Sequence, residues 1–117
     1  LPKILPMSEY HGDFTLENIL YDTNKKDFVL IDPLTTEYDS FVFDLAKLRQ
    51  DLVCKWFIRN DNVYLDSKLY AIIDKLNEFV YNKNQYLLIL MLMRVLPYTH
   101  NEKDKEFLMN GVRRLWK

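Results

Sequence analysis

Three side chains with hard oxygen atoms mark the part of this sequence where residue types and spacing could do chemistry. Asp13 and Asn18 have four residues between them in the stretch His11–Asn18, and Asp32 follows a short apolar run further along the chain. Carboxylate and amide oxygens suit Mg²⁺, which keeps several waters and takes only one or two protein carboxylates. The three side chains are therefore candidates for a divalent-cation site, provided that the fold brings them together.

Two short β-prone runs predict a hairpin that would bring Asn18 and Asp32 side by side. Ile19–Tyr21 and Phe28–Ile31 are apolar, and the polar stretch Asp22–Asp27 between them is rich in turn-forming residues. A turn centred in this stretch makes the numbers of paired residues sum to about fifty, which sets Asn18 opposite Asp32. The expected result is one amide oxygen and one carboxylate at the open end of a rigid hairpin.

Two helices are predicted between the hairpin and the C-terminal third of the chain. Apolar residues recur at three- and four-residue steps from Phe41 to Trp56, which is typical of a helix buried on much of its surface, and Asn60–Asn62 ends it. Ser67 is a candidate N-cap for the second helix. The apolar residues of that helix are Leu69, Ile72, Ile73, Leu76, Phe79 and Val80.

Two further helices are predicted towards the C-terminus. The third runs from Gln85 to about Leu96, is apolar nearly all round and ends at Pro97. The fourth begins at an N-cap, Asn101. Its inner face comprises Phe107, Leu108, Gly111, Val112 and Leu115. Because no repeat or interdomain linker is visible, residues 1–117 are interpreted as one α+β domain, mainly helical, with one β-hairpin and about four helices.

Composition excludes several other classes of protein. Sixteen basic residues against seventeen acidic ones give a net charge of −1, which argues against a nucleic-acid binder or a polybasic membrane binder. Cys54, the single cysteine, lies in an apolar run, so an inert buried thiol is expected. The only glycines, Gly12 and Gly111, are too few for a glycine-rich phosphate loop. No bilayer-spanning run and no signal peptide are visible, so a cytoplasmic location is expected.

The spacing of the oxygen-bearing residues resembles that of a family of small-molecule kinases. H-G-D-x-x-x-x-N at His11–Asn18, followed by a hairpin and an apolar residue before Asp, is similar to the catalytic and metal-binding loops of the aminoglycoside phosphotransferase and choline kinase-like family. The Asp32–Pro33 variant looks most like the fructosamine kinase branch, whereas protein kinases usually carry Asp-Phe-Gly there. Asp44–Ala46 matches the D-L-A at the start of that family's long buried helix. The motifs cover roughly residues 8–52.

This resemblance implies a fold, an activity and cofactors. The fold would be the C-terminal lobe of a protein-kinase-like structure. The activity would be ATP-dependent transfer of the γ-phosphoryl group to a hydroxyl of a small molecule, such as a sugar, an amino alcohol or an aminoglycoside-like compound. Asp13 would be the catalytic base, and Asn18 and Asp32 would hold Mg²⁺.

Three other residues of the motifs are expected to support the site. By resemblance, His11 packs beneath the loop and forms hydrogen bonds with its backbone, which is a structural role. Gly12 is expected to let the backbone turn tightly before Asp13. Two interpretations stand for Asp44: a helix N-cap, or a buried carboxylate that accepts backbone N–H bonds from the loop.

Three acidic residues, Glu17, Glu37 and Asp39, lie close to the site in sequence. We interpret them as solvated surface charges, with contact to a cationic substrate as the alternative. Their presence mildly favours a cationic or polyhydroxyl acceptor over an anionic one.

The nucleotide-binding lobe that such kinases use is expected to be absent here, because only ten residues precede His11. The chain by itself is then expected to be inactive, and to self-associate through apolar surface that the missing parts would cover. The alternative is a non-catalytic helical module or pseudokinase remnant that acts in protein interaction.

Overall fold

The computed structural model describes residues 3–37, 40–61, 64–78 and 84–116, and its architecture is α+β. Two strands within the described ranges, β1 (Ile19–Asp22) and β2 (Asp27–Leu30), form an antiparallel hairpin. The described residues contain four α-helices: α1 (Phe41–Leu52), α2 (Asp66–Leu76), α3 (Gln85–Val95) and α4 (Glu102–Leu115). The predicted fold class, mainly helical with one hairpin and about four helices, is confirmed at this level.

The hairpin is present, but its predicted register is wrong by one residue. Ile19 pairs with Leu30, so the numbers of paired residues sum to 49. The cause is an even, four-residue turn in which Asp22 Oδ1 accepts hydrogen bonds from the N–H groups of Asn24 and Lys25, at 2.9 and 3.1 Å. Asn18 consequently lies opposite Ile31, not opposite Asp32.

Helix α1 packs on α3, and α3 also packs on α4, so α3 is buried from two sides. Val42 and Ala46 of α1 contact Leu87 and Met91 of α3. On the other side of α3, Leu88 and Leu92 join Leu108 and the buried Cys54. Because α3 packs against a helix on each of two sides, it needs apolar residues around most of its surface. None of the helices in the described ranges is long and apolar enough to cross a membrane.

A third apolar cluster joins the helices to the segment that carries the candidate site. Leu48 and Leu52 of α1 and Leu69 of α2 form its buried centre. Phe14, Leu16 and Ile19 pack against it from the chain between His11 and the hairpin. Burial of these side chains holds the site segment against α1.

Two predicted helix boundaries are wrong. α1 ends at Leu52 and does not continue to Trp56, because Lys55 adopts a left-handed conformation, with φ of 59°, and Trp56 begins a separate 3₁₀ turn. α2 begins at Asp66, so Ser67 lies in its first turn and is not the N-cap. The Asp66 carboxylate forms an ion pair with the Lys55 ammonium group, which stabilises this helix start.

The predicted starts of α3 at Gln85 and of α4 after Asn101 are confirmed. Asn84 accepts hydrogen bonds from the N–H groups of Tyr86 and Leu87, and Asn101 accepts one from Asp104 N–H. Leu108 and Gly111, predicted on the inner face of α4, are buried. On α2, Leu69 is buried while Ile72 is 41% exposed, contrary to prediction. Phe79, Val80 and Asn62 lie outside the described residues.

An ion pair joins the start of α4 to the 3₁₀ turn that follows α1. Arg59 Nε donates to Asp104 Oδ1 at 2.9 Å, and a second guanidinium nitrogen donates to Oδ2 at 3.3 Å. The Arg59 guanidinium also lies over the Trp56 ring, 3.7 Å from its centroid. The hydrogen bonds from Arg59 lower the pKa of Asp104 below its usual 3.8.

We expect Asp104→Asn to lower the free energy of unfolding, and to do so most at neutral pH. A carboxyl whose pKa is lowered by folding contributes stability above its unfolded pKa, and that contribution is lost as the pH falls through the folded value. Urea unfolding from neutral pH down to about pH 3 measures the difference between the two proteins. Asp74→Asn is the control, because Asp74 lies at an exposed position of α2. A difference that does not shrink in acid would contradict this account.

Candidate functional site

Gly12 fixes the path of the backbone before Asp13. Its φ is +92°, a conformation that residues with a side chain rarely adopt, and a Cβ atom there would lie 1.8 Å from the Leu34 carbonyl oxygen. The neighbouring His11 carbonyl accepts a hydrogen bond from Leu34 N–H at 2.8 Å. The expectation that Gly12 allows a tight turn is confirmed, and the reason is this close approach of Leu34.

The Asp44 carboxylate holds the same turn from the side of α1. His11 N–H donates to Asp44 Oδ2 at 2.7 Å, and Gly12 N–H donates to Oδ1 at 3.0 Å. The N-cap of α1 is Ser40, whose hydroxyl oxygen accepts from Val42 N–H. Of the two interpretations of Asp44, the N-cap is therefore wrong, and the structure shows the carboxylate that accepts backbone N–H bonds.

The His11 ring connects the turn to the end of the hairpin. The ring is buried, its Nδ1 accepts a hydrogen bond from Asp13 N–H at 3.2 Å, and its Nε2 lies 2.7 Å from the Ile31 carbonyl oxygen. Since Nδ1 acts as an acceptor, the proton is assigned to Nε2, which donates to Ile31. Both contacts are with backbone, as the resemblance implies for a structural histidine.

Asp13 and Asn18 are brought into contact by the loop between them. Asn18 Nδ2 donates to the Asp13 carbonyl oxygen at 2.8 Å and to Asp13 Oδ2 at 3.2 Å. The Asp13 side chain is 40% exposed, so a ligand can reach its carboxylate. Because both bonds use the amide nitrogen, Asn18 Oδ1 points to the opposite side of the amide group.

Asp32 is positioned by anchors on both sides of it. On one side, Ile31 N–H donates to the backbone carbonyl oxygen of Asn18 at 2.9 Å. On the other side, two residues after Asp32, Leu34 N–H donates to the His11 carbonyl oxygen. Between these anchors Asp32 is exposed and has a φ of +53°, which is strained for a residue other than glycine. Asp32 thus follows Ile31, the hairpin position that lies opposite Asn18.

The donor set at this position is small. In the part of the chain that the structure describes, no three His, Cys, Asp or Glu side chains group as a metal site. The predicted ligands are one amide, Asn18, which contacts Asp13, and one carboxylate, Asp32, which the structure places one residue after the position opposite Asn18. This set suits a cation that completes its shell with water and phosphate oxygens, as Mg²⁺ does, and not one that needs a protein cage.

Lys47 is a residue of this site that the sequence analysis did not identify. It lies on α1 and is 12% exposed, and its Nζ is 3.7 Å from Asp13 Oδ1 and 3.4 Å from Gln50 Oε1. Burial lowers the pKa of Lys47, and the nearby Asp13 carboxylate opposes that effect.

Asp51 is a second residue that was missed. It is fully buried, and its Oδ2 accepts a hydrogen bond from Leu16 N–H at 2.8 Å. Burial raises the pKa of Asp51 to about 6. Asp44, Lys47 and Asp51 share one face of α1 at i, i+3 and i+7, so this stripe of charged residues was the signal available in the sequence.

Two of the three acidic residues near the motifs are described by the structure. Glu17 and Glu37 are exposed to solvent, which agrees with their interpretation as surface charges, and Asp39 lies outside the described residues. A cavity of about 370 Å³ does open beside Asp13, and its charged lining residues are Asp13, Lys47 and Arg94.

Comparison of the chain with protein-family models, with curated proteins and with solved structures gives no match. The likeness to small-molecule kinases therefore depends on the motif residues and their arrangement.

We expect Gly12→Ala to destabilise the protein strongly. The left-handed conformation alone costs about 1–2 kcal/mol with a Cβ atom present, and the overlap with Leu34 adds to it. Gly111→Ala in α4 is the control, since a Cβ there would meet only the end of the Leu92 side chain, at 3.2 Å. Equal free energies of unfolding for the two variants in urea would contradict the observed turn.

We expect Asp51 to make the protein more stable as the pH falls from about 7, through its folded pKa of about 6, to its unfolded value of 3.8. A carboxyl with a raised folded pKa binds its proton more tightly in the folded state, so ionisation at neutral pH costs stability. The change from 3.8 to about 6 corresponds to about 3 kcal/mol. Asp51→Asn keeps an oxygen acceptor for Leu16 and removes the titration.

Urea unfolding of the wild type and of Asp51→Asn at several pH values measures this effect. The free-energy difference between them should move in favour of the wild type as the pH is lowered. Asp61→Asn, at an exposed position, should follow the wild type. Parallel profiles for all three proteins would refute the role given to Asp51.

Proposed function

We propose that this chain carries the catalytic loops of an ATP-dependent phosphotransferase that acts on a hydroxyl group of a small molecule. The observation that carries the proposal is the direct contact of Asp13 with Asn18, with Asp32 held directly after the hairpin position that faces Asn18. The H-G-D-x-x-x-x-N spacing and the Asp44 contacts support the same activity.

Asp13 is the proposed base. Its carboxylate is accessible, Asn18 Nδ2 contacts one oxygen, and Lys47 Nζ lies near the other. The acceptor oxygen forms a bond to the γ-phosphorus while the bond to the bridging β–γ oxygen breaks, and ADP leaves with the electrons of that bond. The proton of the hydroxyl group passes to Asp13.

Asn18 and Asp32 are the residues that would hold Mg²⁺. The side-chain Nδ2 of Asn18 is used in the contact with Asp13. The side-chain oxygen Oδ1 therefore lies on the other side of the amide group, where it suits a hard cation. When bound, the ion neutralises charge on the phosphates. The positive φ of Asp32 is a further support, because strained conformations held by their surroundings cluster at active sites.

The test is formation of ADP from ATP by the full-length protein, with Mg²⁺ and a panel of hydroxyl compounds. Asp13→Asn should lower kcat by about 10²–10⁴, the usual contribution of a general base. Asp32→Gly should abolish Mg²⁺-dependent turnover and calorimetric Mg²⁺ binding without loss of stability, because glycine accepts a positive φ. Glu17→Gln, an exposed neighbour in the same loop, should behave as the wild type.

Two results would overturn the proposal. One is unchanged turnover in Asp13→Asn or in Asp32→Gly. The other is the absence of Mg²⁺ binding and of ADP formation in the wild type with every acceptor, which would favour the non-catalytic module instead.

A further inference from the structure

Helix α1 and the loop that carries the proposed base lie side by side and are in contact at three successive points. The contacts come from positions i, i+3 and i+7 of the helix: Asp44 contacts His11 and Gly12, Lys47 contacts Asp13, and Asp51 contacts Leu16. Because these positions share one face of a helix, a single element holds this part of the loop.

The middle contact differs in kind from the other two. Asp44 and Asp51 accept hydrogen bonds from backbone N–H groups, which fixes the path of the chain. Lys47 instead approaches a side-chain atom, with its Nζ 3.7 Å from Asp13 Oδ1. Backbone contacts leave the side-chain torsion angles of Asp13 open, whereas a cation beside the carboxylate favours one rotamer.

The Asp13 carboxylate is thereby contacted at both of its oxygens. Asn18 Nδ2 donates to Oδ2 at 3.2 Å, and the Lys47 ammonium group lies near Oδ1. The separation of 3.7 Å is longer than the roughly 2.7–3.2 Å of a direct hydrogen bond, so Oδ1 keeps a lone pair for a further donor. The carboxylate is oriented, and one oxygen stays open to the proton of an acceptor hydroxyl group.

Stability alone does not account for a cation at this position. The Lys47 side chain is 12% exposed, and burial lowers its pKa more than the attraction of Asp13 raises it. An ion pair in which desolvation is the larger effect adds little to stability, and an apolar side chain of similar length would pack there at less cost. The position of Lys47 therefore suits a role in orienting Asp13 and not in holding the fold.

We infer that Lys47 is a positioning residue for the proposed base, and that its ammonium group directs the Asp13 carboxylate into the cavity that both residues line. This inference rests on the proposed function, in which Asp13 takes the proton of the acceptor hydroxyl group. Lys47 acts through Asp13, and the pair as a whole is neutral, so it selects no charge on the acceptor.

ADP formation from ATP by the full-length protein tests this role. Lys47→Met removes the charge and keeps a long side chain that suits burial. It should lower kcat by about 10- to 100-fold, the order expected when a reacting group is misplaced, and leave KM for ATP and for the acceptor unchanged. The free energy of unfolding in urea should not fall.

Lys75→Met is the matched control. Lys75 Nζ also lies near a carboxylate oxygen, Glu78 Oε1 at 3.9 Å, but the Lys75 side chain is 83% exposed and belongs to α2. The kinetic constants of this variant should equal those of the wild type.

A double-mutant cycle separates positioning from direct action on the substrate. In the Asp13→Asn protein, Lys47→Met should change the residual kcat by less than about twofold, because the carboxylate that it orients is absent. An NMR titration of the Lys47 amine needs no turnover. Asp13→Asn should lower the pKa of Lys47 further, since the carboxylate raises it, whereas Glu17→Gln should leave it unchanged.

Four results would overturn the inference. They are a wild-type kcat in Lys47→Met, a rise in KM with kcat unchanged, an equal loss of kcat in the Asp13→Asn background, and a pKa of Lys47 that is unchanged in Asp13→Asn. In each case the proposed function stands as long as Asp13→Asn itself lowers kcat. No ADP formation by the wild type with any acceptor would instead remove the proposed function, and the catalytic role of Lys47 with it, even where the titration still reports the contact.

Discussion

The candidate site depends on one carboxylate, Asp44, which accepts hydrogen bonds from two successive backbone N–H groups. Hydrogen bonds to an ionised acceptor are stronger than those between neutral groups, and Asp44 lies in the first turn of α1, where the helix dipole favours negative charge. The turn at His11 and Gly12 is thereby attached to the most buried part of the fold. Asp13 follows that turn directly, so its carboxylate is positioned before any ligand arrives, which is what a base in catalysis requires.

The same helix combines two tasks that oppose each other energetically. One face of α1 packs Val42 and Ala46 against α3, while another carries Asp44, Lys47 and Asp51 under the loop. Removing ionisable groups from water costs stability, because burial disfavours their charged forms. Burial accordingly lowers the pKa of Lys47 and raises the pKa of Asp51. Apolar residues at these positions would pack with less cost but could not hold the loop. The helix therefore gives up some stability to hold the loop that carries Asp13.

Local signals in the sequence were sufficient to predict the helices and the hairpin. They were insufficient to predict the strand register and the contacts between distant residues. Asn84 and Asn101 announce helix starts because capping involves only neighbouring residues. The predicted hairpin register was wrong because the register depends on the hydrogen bond of the Asp22 side chain within the turn. The shift by one residue places Ile31, and not Asp32, opposite Asn18. Lys47 was missed for another reason. Its importance comes from a contact with Asp13 across 34 positions of sequence, and the face that it shares with Asp44 and Asp51 does not by itself reveal that contact.

The character of the cavity follows from helix packing more than from composition. Lys47 and Arg94 come from α1 and α3, and the apolar contacts between these helices, centred on Ala46 and Met91, fix how far apart the two cations lie. Sequence composition averages such charges with those of exposed acids like Glu17, so it does not show which charges meet at the cavity. A substitution in the α1–α3 core would then move Lys47 and Arg94 relative to each other without touching Asp13 or the hairpin. Core packing and the lining of the cavity are coupled in this fold, whereas the turn before Asp13 and the chain on both sides of Asp32 are held separately by hydrogen bonds of the backbone.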